Sequence, residues 1–115
     1  MALDPGLASN PETASAWNEL CWWGALWNQA ALVLDGCETA VKLAPDDGGL
    51  RDSRGLARAL TGDVQGAIED FEFALAQSRV PDFVTSRTAW VSALREGQDP
   101  KLIFDAATLE KLRNE

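Results

Sequence analysis

The apolar residues between Gly55 and Ala74 recur with the period of an α-helix. Before the pair Gly62-Asp63, Leu56, Ala59 and Leu60 fall at helical spacing, and after it Ala67, Phe71 and Ala74 follow at spacings of four and three. Residues at these spacings lie on one face of a helix, and Gly and Asp favour a turn. The segment therefore predicts a helical hairpin.

The same pattern occurs at a fixed interval on either side of this hairpin. The pattern recurs thirty-four residues earlier at Trp22, Ala25 and Leu26, and thirty-four residues later at Trp90, Ala93 and Leu94. The preceding small residue also recurs, as Cys21, Gly55 and Ala89, and Cys37 occupies the position of Phe71. A fixed period that contains paired helices indicates a stacked array, because a single hairpin cannot bury its apolar face.

These positions carry a resemblance to the tetratricopeptide repeat. The middle unit resembles its motif most closely, and the first unit shares part of the motif: Gly55, Gly62, Ala67, Phe71 and Ala74, then Trp17, Leu20, Cys21, Ala40 and Pro45. The third unit keeps Ala89 and little more. More loosely, the run RDSRGLARALTGD followed by GAIEDF resembles repeat tails on multidomain signalling proteins of cyanobacteria. The resemblance implies an all-α, right-handed superhelical stack of hairpins.

The organisation that follows is one domain behind a short leader. Residues 1–10 lack periodicity and form the leader, and residues 11–115 form the repeat domain. Its units are predicted at 14–47, 48–81 and, in degenerate form, 82–98, with a capping segment at 99–115. Asn10, Asp63 and Asp99 stand where helix caps are expected.

Composition and charge exclude several classes of function. The chain carries 18 acidic and 10 basic residues, so its net charge of −8 disfavours nucleic acid and anionic membranes as partners. No apolar run reaches the roughly 20 residues that span a bilayer, and no basic-then-apolar leader is present, so a cytoplasmic protein is expected.

The residue types that carry most chemistry are scarce. The sequence contains no histidine, and its serines lack an evident basic partner, so no catalysis, metal site or cofactor is expected. The two cysteines, Cys21 and Cys37, fall on apolar helix faces without secretory context. Such a pair is usually reduced, so buried free thiols are predicted, with a disulfide as the alternative.

In the repeat family, the first helix of each unit lines a concave groove that binds a partner. Carried over by position, the resemblance places in this groove Asn18, Trp22, Leu26, Asp52, Leu56, Ser86 and Trp90. This lining is largely apolar and suits an amphipathic helix or apolar peptide. The alternative is that the C-terminal segment folds into the groove and fills it.

The first helix, which is predicted to run from Pro11 to about Gln29, is apolar on most sides. It carries Trp17, Trp22, Trp23 and Trp27, and of these only Trp23 and Trp27 fall close together on one face. Either neighbouring helices bury most of this aromatic surface, or at least one tryptophan contacts a partner. Trp23 and Trp27 are the candidates for that interface, with a second copy or a neighbouring domain as the partner.

The third helix has a stripe of arginines, Arg51, Arg54 and Arg58, at helical spacing. In the tetratricopeptide repeat these positions usually hold two aromatic residues and a leucine. The stripe could clamp a carboxylate or another anion, because guanidinium groups form two bonds at once to such groups. The alternative is pairing with acidic residues on adjacent helices, for which the candidates are Asp35, Glu38, Glu69 and Asp70.

The sequence thus predicts a non-catalytic module that binds a protein or peptide through an apolar concave groove. Two alternatives stay open. One is self-association into a homodimer through the tryptophan-rich first helix. The other is a structural end-cap domain of a longer signalling protein.

Overall fold

The chain folds into helices throughout the part that the structure describes. This computed structural model describes residues 10–115, and residues 1–9 of the predicted leader lie outside that range. A 3₁₀ turn at Pro11–Thr13 precedes seven helices: α1 Ala14–Leu26, α2 Ala30–Leu43, α3 Gly48–Leu60, α4 Val64–Gln77, α5 Pro81–Arg95, α6 Pro100–Ile103 and α7 Ala106–Arg113. The predicted all-α class is confirmed.

Capping side chains set several of the helix starts. Asn10 Oδ1 accepts a hydrogen bond from the Glu12 amide at 3.0 Å, and Asp63 Oδ1 accepts one from the Gly66 amide at 2.9 Å. Asp99 accepts in the same way from the Lys101 amide at 2.9 Å. Each carboxylate or amide oxygen satisfies an amide that has no partner within its helix. The three caps predicted from the sequence are therefore confirmed.

The first helix is shorter than its apolar pattern predicted. It ends at Leu26 instead of continuing to Gln29, because Asn28 adopts a left-handed conformation with φ of 63°. Asparagine tolerates this conformation better than most residues do, and a helix cannot continue through it. The turn sends α2 back along α1.

The helices pack in sequential pairs. α1 packs against α2 and α3 packs against α4, while α3 also contacts both helices of the first pair and α5 contacts α4. The starts of α1 and α3, at Ala14 and Gly48, are thirty-four residues apart. The period found in the sequence therefore corresponds to a period in helix starts. Within the described residues, no helix is long and apolar enough to cross a membrane.

The C-terminal segment completes the core. α6 contacts α3 and α5, and α7 packs on α1. Phe104, between the two short helices, is buried against Trp90 and Phe71, with ring centroids 4.9 and 6.2 Å away. Leu109 and Leu112 of α7 are buried in the same apolar cluster. The closing segment is thus an integral part of the hydrophobic core.

The prediction of free thiols is wrong. Cys21 of α1 and Cys37 of α2 form a disulfide with their Cα atoms 4.8 Å apart, and both residues are buried. The periodic positions of the two cysteines explain the pairing, since each lies on the face of its helix that meets the other helix. Helix packing therefore brings together two side chains that stand sixteen positions apart in the sequence.

Candidate interaction surfaces

Three of the predicted groove positions are buried in the hydrophobic core. Leu26 and Leu56 are fully buried, and Trp90 is only 7% exposed. All three share one apolar cluster with Phe104, Leu109 and Leu112 of the closing segment. These three positions are therefore part of the core and are not accessible to a partner in this structure. The physical reason is that the C-terminal segment supplies the apolar side chains that these positions need for burial.

Two other groove positions belong to a buried ion pair. The Arg87 guanidinium donates to Asp52 Oδ1 at 3.0 Å and to Oδ2 at 2.7 Å, and both residues are buried. Ser86 Oγ accepts a further hydrogen bond from Arg87 at 2.9 Å. The guanidinium carbon also lies 4.1 Å from the Phe83 ring centroid and 4.3 Å from that of Trp90. Asp52 and Ser86 thus hold Arg87 in place and join α3 to α5.

The environment of this ion pair changes the acidity of Asp52. Burial raises the pKa of Asp52 above its usual value of 3.8, while the hydrogen bonds and charge of Arg87 act in the opposite direction. The nearby carboxylates of Asp70 and Glu115 add to the increase. A carboxylate held by a fixed guanidinium inside the core is poorly placed to exchange protons with a substrate.

The remaining groove positions, Asn18 and Trp22, are half-buried on α1. Trp22 packs at the edge of the main apolar cluster. Asn18 Oδ1 is buried and has no hydrogen-bond donor among the described residues. The seven groove positions are therefore dispersed between core, ion pair and helix edge, and they do not form one continuous open surface.

The arginine stripe pairs with acidic residues of the same chain. Arg54 donates two hydrogen bonds to the fully buried Asp70, at 2.8 and 2.7 Å, and a third to Glu38 at 3.1 Å. Arg58 contacts the same two carboxylates, with shortest distances of 3.1 Å to Glu38 and 3.3 Å to Asp70. These contacts join α3 to α2 and α4. Two of the four acidic candidates, Glu38 and Asp70, thus supply the internal pairing that the sequence offered as an alternative.

Arg51 lies at the edge of this cluster. Its Nε donates to the Pro45 carbonyl oxygen at 2.9 Å, and its guanidinium carbon lies 4.3 Å from the Phe73 ring centroid. Its nearest approach to Asp70 is 3.7 Å. All three guanidinium groups therefore already have partners within the chain. An external anion would have to compete with carboxylates that folding has placed at hydrogen-bond distance.

The first helix presents two exposed tryptophans on one face, which we call the tryptophan surface. Trp23 is 42% exposed and Trp27 is 60% exposed. The Trp23 Nε1 group donates to Glu19 Oε2 at 3.0 Å, and the Arg113 guanidinium carbon lies 4.2 Å from the Trp27 ring centroid. Both rings are thus oriented by polar neighbours while much of their area stays in water. Trp23 and Trp27 are thus both accessible to solvent.

The charge near the tryptophan surface is low. Between residues 13 and 34, Glu19 is the one charged side chain, although the whole chain carries a net charge of −8. An approaching acidic protein therefore meets little repulsion at this hairpin. Large aromatic rings in a surface region of low charge are characteristic of protein-protein interfaces.

A cleft of about 580 Å³ opens near the end of the same hairpin. Its walls come from the α1–α2 turn, the α3–α4 turn and the closing segment, and they include Ala31, Leu60 and Lys101. The turn residues Asn28 and Ala30, which follow Trp27 in the chain, also line it. The tryptophan surface is therefore followed along the chain by a concave, mixed apolar and polar region.

Comparison with known proteins adds no relative. No protein-family model, curated protein or solved structure matches the chain.

Arg87 is a residue of these surfaces that the sequence pattern did not single out. Its signal was weak, because Asp52 lies thirty-five positions away and their shared side of the array is set by the packing of α3 and α5.

Proposed function

We propose that the protein is a non-catalytic protein-interaction module that binds its partner through the tryptophan surface. The observation that carries the proposal is the exposure of Trp23 and Trp27 in a stretch, residues 13–34, whose one charged side chain is Glu19. Burying two such rings against a partner removes a large apolar area from water. No group of three or more potential metal-ligating side chains occurs among residues 10–115, and the most deeply buried carboxylates are bound to arginines.

The fold that supports this surface is proposed to be a tetratricopeptide-like array. The proposal is supported by the thirty-four-residue period between the starts of α1 and α3 and by the paired packing of α1 with α2 and of α3 with α4. The binding of a peptide in the concave groove would require α6 and α7 to move away, because Leu26 and Leu56 are covered. The tryptophan surface needs no such rearrangement, and we therefore favour it.

Self-association is the second candidate. A second copy of an acidic chain meets little repulsion at a stretch with few charged side chains, such as residues 13–34, which hold the tryptophan surface. A role as an end-cap domain within a longer signalling protein would use the same surface against a neighbouring domain. A cytoplasmic setting remains part of the proposal, although disulfides such as Cys21–Cys37 persist mainly in oxidising compartments.

The two forms of the proposal are separated by solution mass. Light scattering over a wide concentration range is expected to give a dimer if self-association is correct, and Trp27→Ala should then weaken it. Val80→Ala is the matched control, because Val80 is equally exposed at 60% and lies outside the first hairpin. A monomer at every concentration would instead indicate that the partner is a different protein.

The heterologous partner is then sought by crosslinking. A photoreactive phenylalanine analogue at position 27 is expected to capture a defined protein, while the same analogue at the exposed Glu69 on α4 should not. Trp23→Ala should reduce the capture of that protein. Equal capture from both positions, or capture unaffected by Trp23→Ala, would reject the tryptophan surface as the binding site.

A further inference from the structure

The disulfide occupies a position that an aromatic ring fills in the second hairpin. Cys21 and Cys37 stand thirty-four residues before Gly55 and Phe71. In the second hairpin, a Cβ atom placed on Gly55 would lie 2.9 Å from Phe71 Cε1, so the ring itself fills the space between α3 and α4. The first hairpin has two sulfur atoms at the equivalent positions. In the first hairpin, a covalent bond thus takes the place of the contact between the Phe71 ring and Gly55.

The first hairpin has little space for the sulfur atoms to move apart. A Cβ atom on Gly24 would lie 2.5 Å from Val33 Cγ1, and one on Gly36 would lie 3.1 Å from Leu20 Cδ2. The two helices are thus in close contact at a glycine on each of them, Gly24 on α1 and Gly36 on α2. Bonded sulfur atoms lie about 2 Å apart, whereas non-bonded heavy atoms need roughly 3.5–4 Å. Reduction removes the covalent link between α1 and α2 and leaves two thiols in this closely packed region.

A displacement of α1 would reach the tryptophan surface. Trp23 lies on the same helix as Cys21, and Trp27 is the residue that directly follows this helix, six positions after Cys21. At the end of this helix, Arg113 of α7 donates to the Leu26 carbonyl oxygen at 2.8 Å and stacks on the Trp27 ring. The position of α1 thus determines both the presentation of the tryptophans and their contact with the closing segment.

We infer that the Cys21–Cys37 disulfide is a redox-dependent clamp that sets the geometry of the tryptophan surface. A dithiol reductant opens it by thiol-disulfide exchange once local opening exposes the buried sulfur atoms. One reductant sulfur attacks a cysteine sulfur and releases the other cysteine as a thiol. The second reductant sulfur then attacks the first, which releases the bound cysteine as a thiol and closes a cyclic disulfide. The protein gains two electrons and two protons as two thiols, and the reductant loses them. The structural effect stands alone, whereas the effect on binding rests on the proposed function.

The clamp is tested by amide hydrogen exchange on the full chain, oxidised and then reduced with dithiothreitol. Amide exchange in α1 and α2 is expected to accelerate about tenfold or more on reduction, because local opening becomes easier. Amides of α4 that exchange through local fluctuations should change little and serve as the internal reference. Unchanged protection of α1 and α2 in the reduced protein would overturn the inference, as would free thiols in protein purified without reductant.

Two variants separate the sulfur chemistry from general damage. Cys21→Ala/Cys37→Ala should exchange like the reduced protein under both conditions. Cys21→Gly/Cys37→Phe recreates the pair of the second hairpin and should exchange like the oxidised protein under both conditions. If the latter variant does not fold, the alanine pair still decides: oxidised-like protection in it would contradict the clamp. Altered exchange with unchanged solution mass and unchanged crosslinking would leave the clamp intact and reject its effect on binding, whereas capture unaffected by Trp23→Ala would reject the proposed function and leave the clamp intact.

Discussion

Arg54 holds Asp70 by two parallel hydrogen bonds, from Nε to Oδ2 at 2.8 Å and from Nη2 to Oδ1 at 2.7 Å. The carboxylate is fully buried, and the pair joins α3 to α4 inside the second hairpin. This two-bond geometry is the arrangement in which guanidinium and carboxylate groups interact most strongly. It also means that the arginine stripe, despite its resemblance to an anion clamp, contributes to the internal structure of the array.

Removal of this arginine should destabilise the protein strongly. Arg54→Met leaves the Asp70 carboxylate buried with fewer compensating charges, which typically costs about 3–5 kcal/mol. Urea unfolding followed by circular dichroism measures the change. Arg95→Met is the matched control, because the Arg95–Glu72 pair is exposed and should contribute about 0–1 kcal/mol. Similar losses in both variants would contradict a special role for the buried pair.

The second buried pair predicts a pH dependence. Because burial raises the pKa of Asp52, the folded state binds this proton more tightly than the unfolded state does. The Asp52 contribution to stability therefore falls as the pH rises from the unfolded value of 3.8 through the raised folded pKa. Arg87→Met should enlarge the effect, since it removes the groups that lower this pKa.

Unfolding free energies of wild type and Arg87→Met, measured between about pH 4 and pH 7, check this sign. The gap between the two proteins is expected to widen towards pH 7, where the unpartnered carboxylate is charged in the core. For Arg95→Met, the gap to wild type should stay small across the same range. A gap that narrows with rising pH would contradict the assigned direction.

The tryptophans should divide into structural and surface residues. Trp90 packs against Phe71 and Phe104, with ring centroids at 5.4 and 4.9 Å, so Trp90→Ala should cost about 3–5 kcal/mol through cavity formation. Trp27 is 60% exposed, so Trp27→Ala should cost at most about 1 kcal/mol, mainly from its contact with Arg113. Thermal melts of the two variants measure the difference. A stable Trp90→Ala protein would return Trp90 to the candidate binding residues.

The disulfide should contribute to global stability as well as to local geometry. A bond that closes a loop of about this length stabilises a protein by roughly 3 kcal/mol, through loss of freedom in the unfolded chain. Reduction should therefore lower the melting temperature by about 10 °C in calorimetry, given some 4 °C per kcal/mol at this chain length. Cys21→Ala/Cys37→Ala should melt at the same temperature with and without reductant.

The helices could be predicted from the sequence because their signals are local. Apolar spacing of three and four residues predicted the hairpin that α3 and α4 form, with its turn at Gly62-Asp63, and Asn10, Asp63 and Asp99 marked helix starts. The end of α1 could not be located in this way. Its apolar pattern continues past Leu26, and the left-handed conformation of Asn28 is what ends the helix.

The fate of the candidate surfaces was less predictable. The exposure of Trp23 and Trp27 follows from their shared helix face, and the burial of Trp90 depends on Phe104, a residue of the closing segment. The disulfide had an available signal: Cys21 and Cys37 occupy the repeat positions where Gly55 meets Phe71. A pair of cysteines at two positions that touch in a neighbouring repeat is a pair within bonding reach.

The sequence by itself determined the all-helical class, the thirty-four-residue period and the face that each side chain occupies, since all three depend on the geometry of a single helix. Only the tertiary structure decided that the closing segment joins the hydrophobic core, that Arg54 and Arg87 are bound by Asp70 and Asp52, and that the cysteines are joined. Each of these depends on contacts between helices distant in sequence, where apolar burial and charge pairing select one arrangement from several that the local pattern allows.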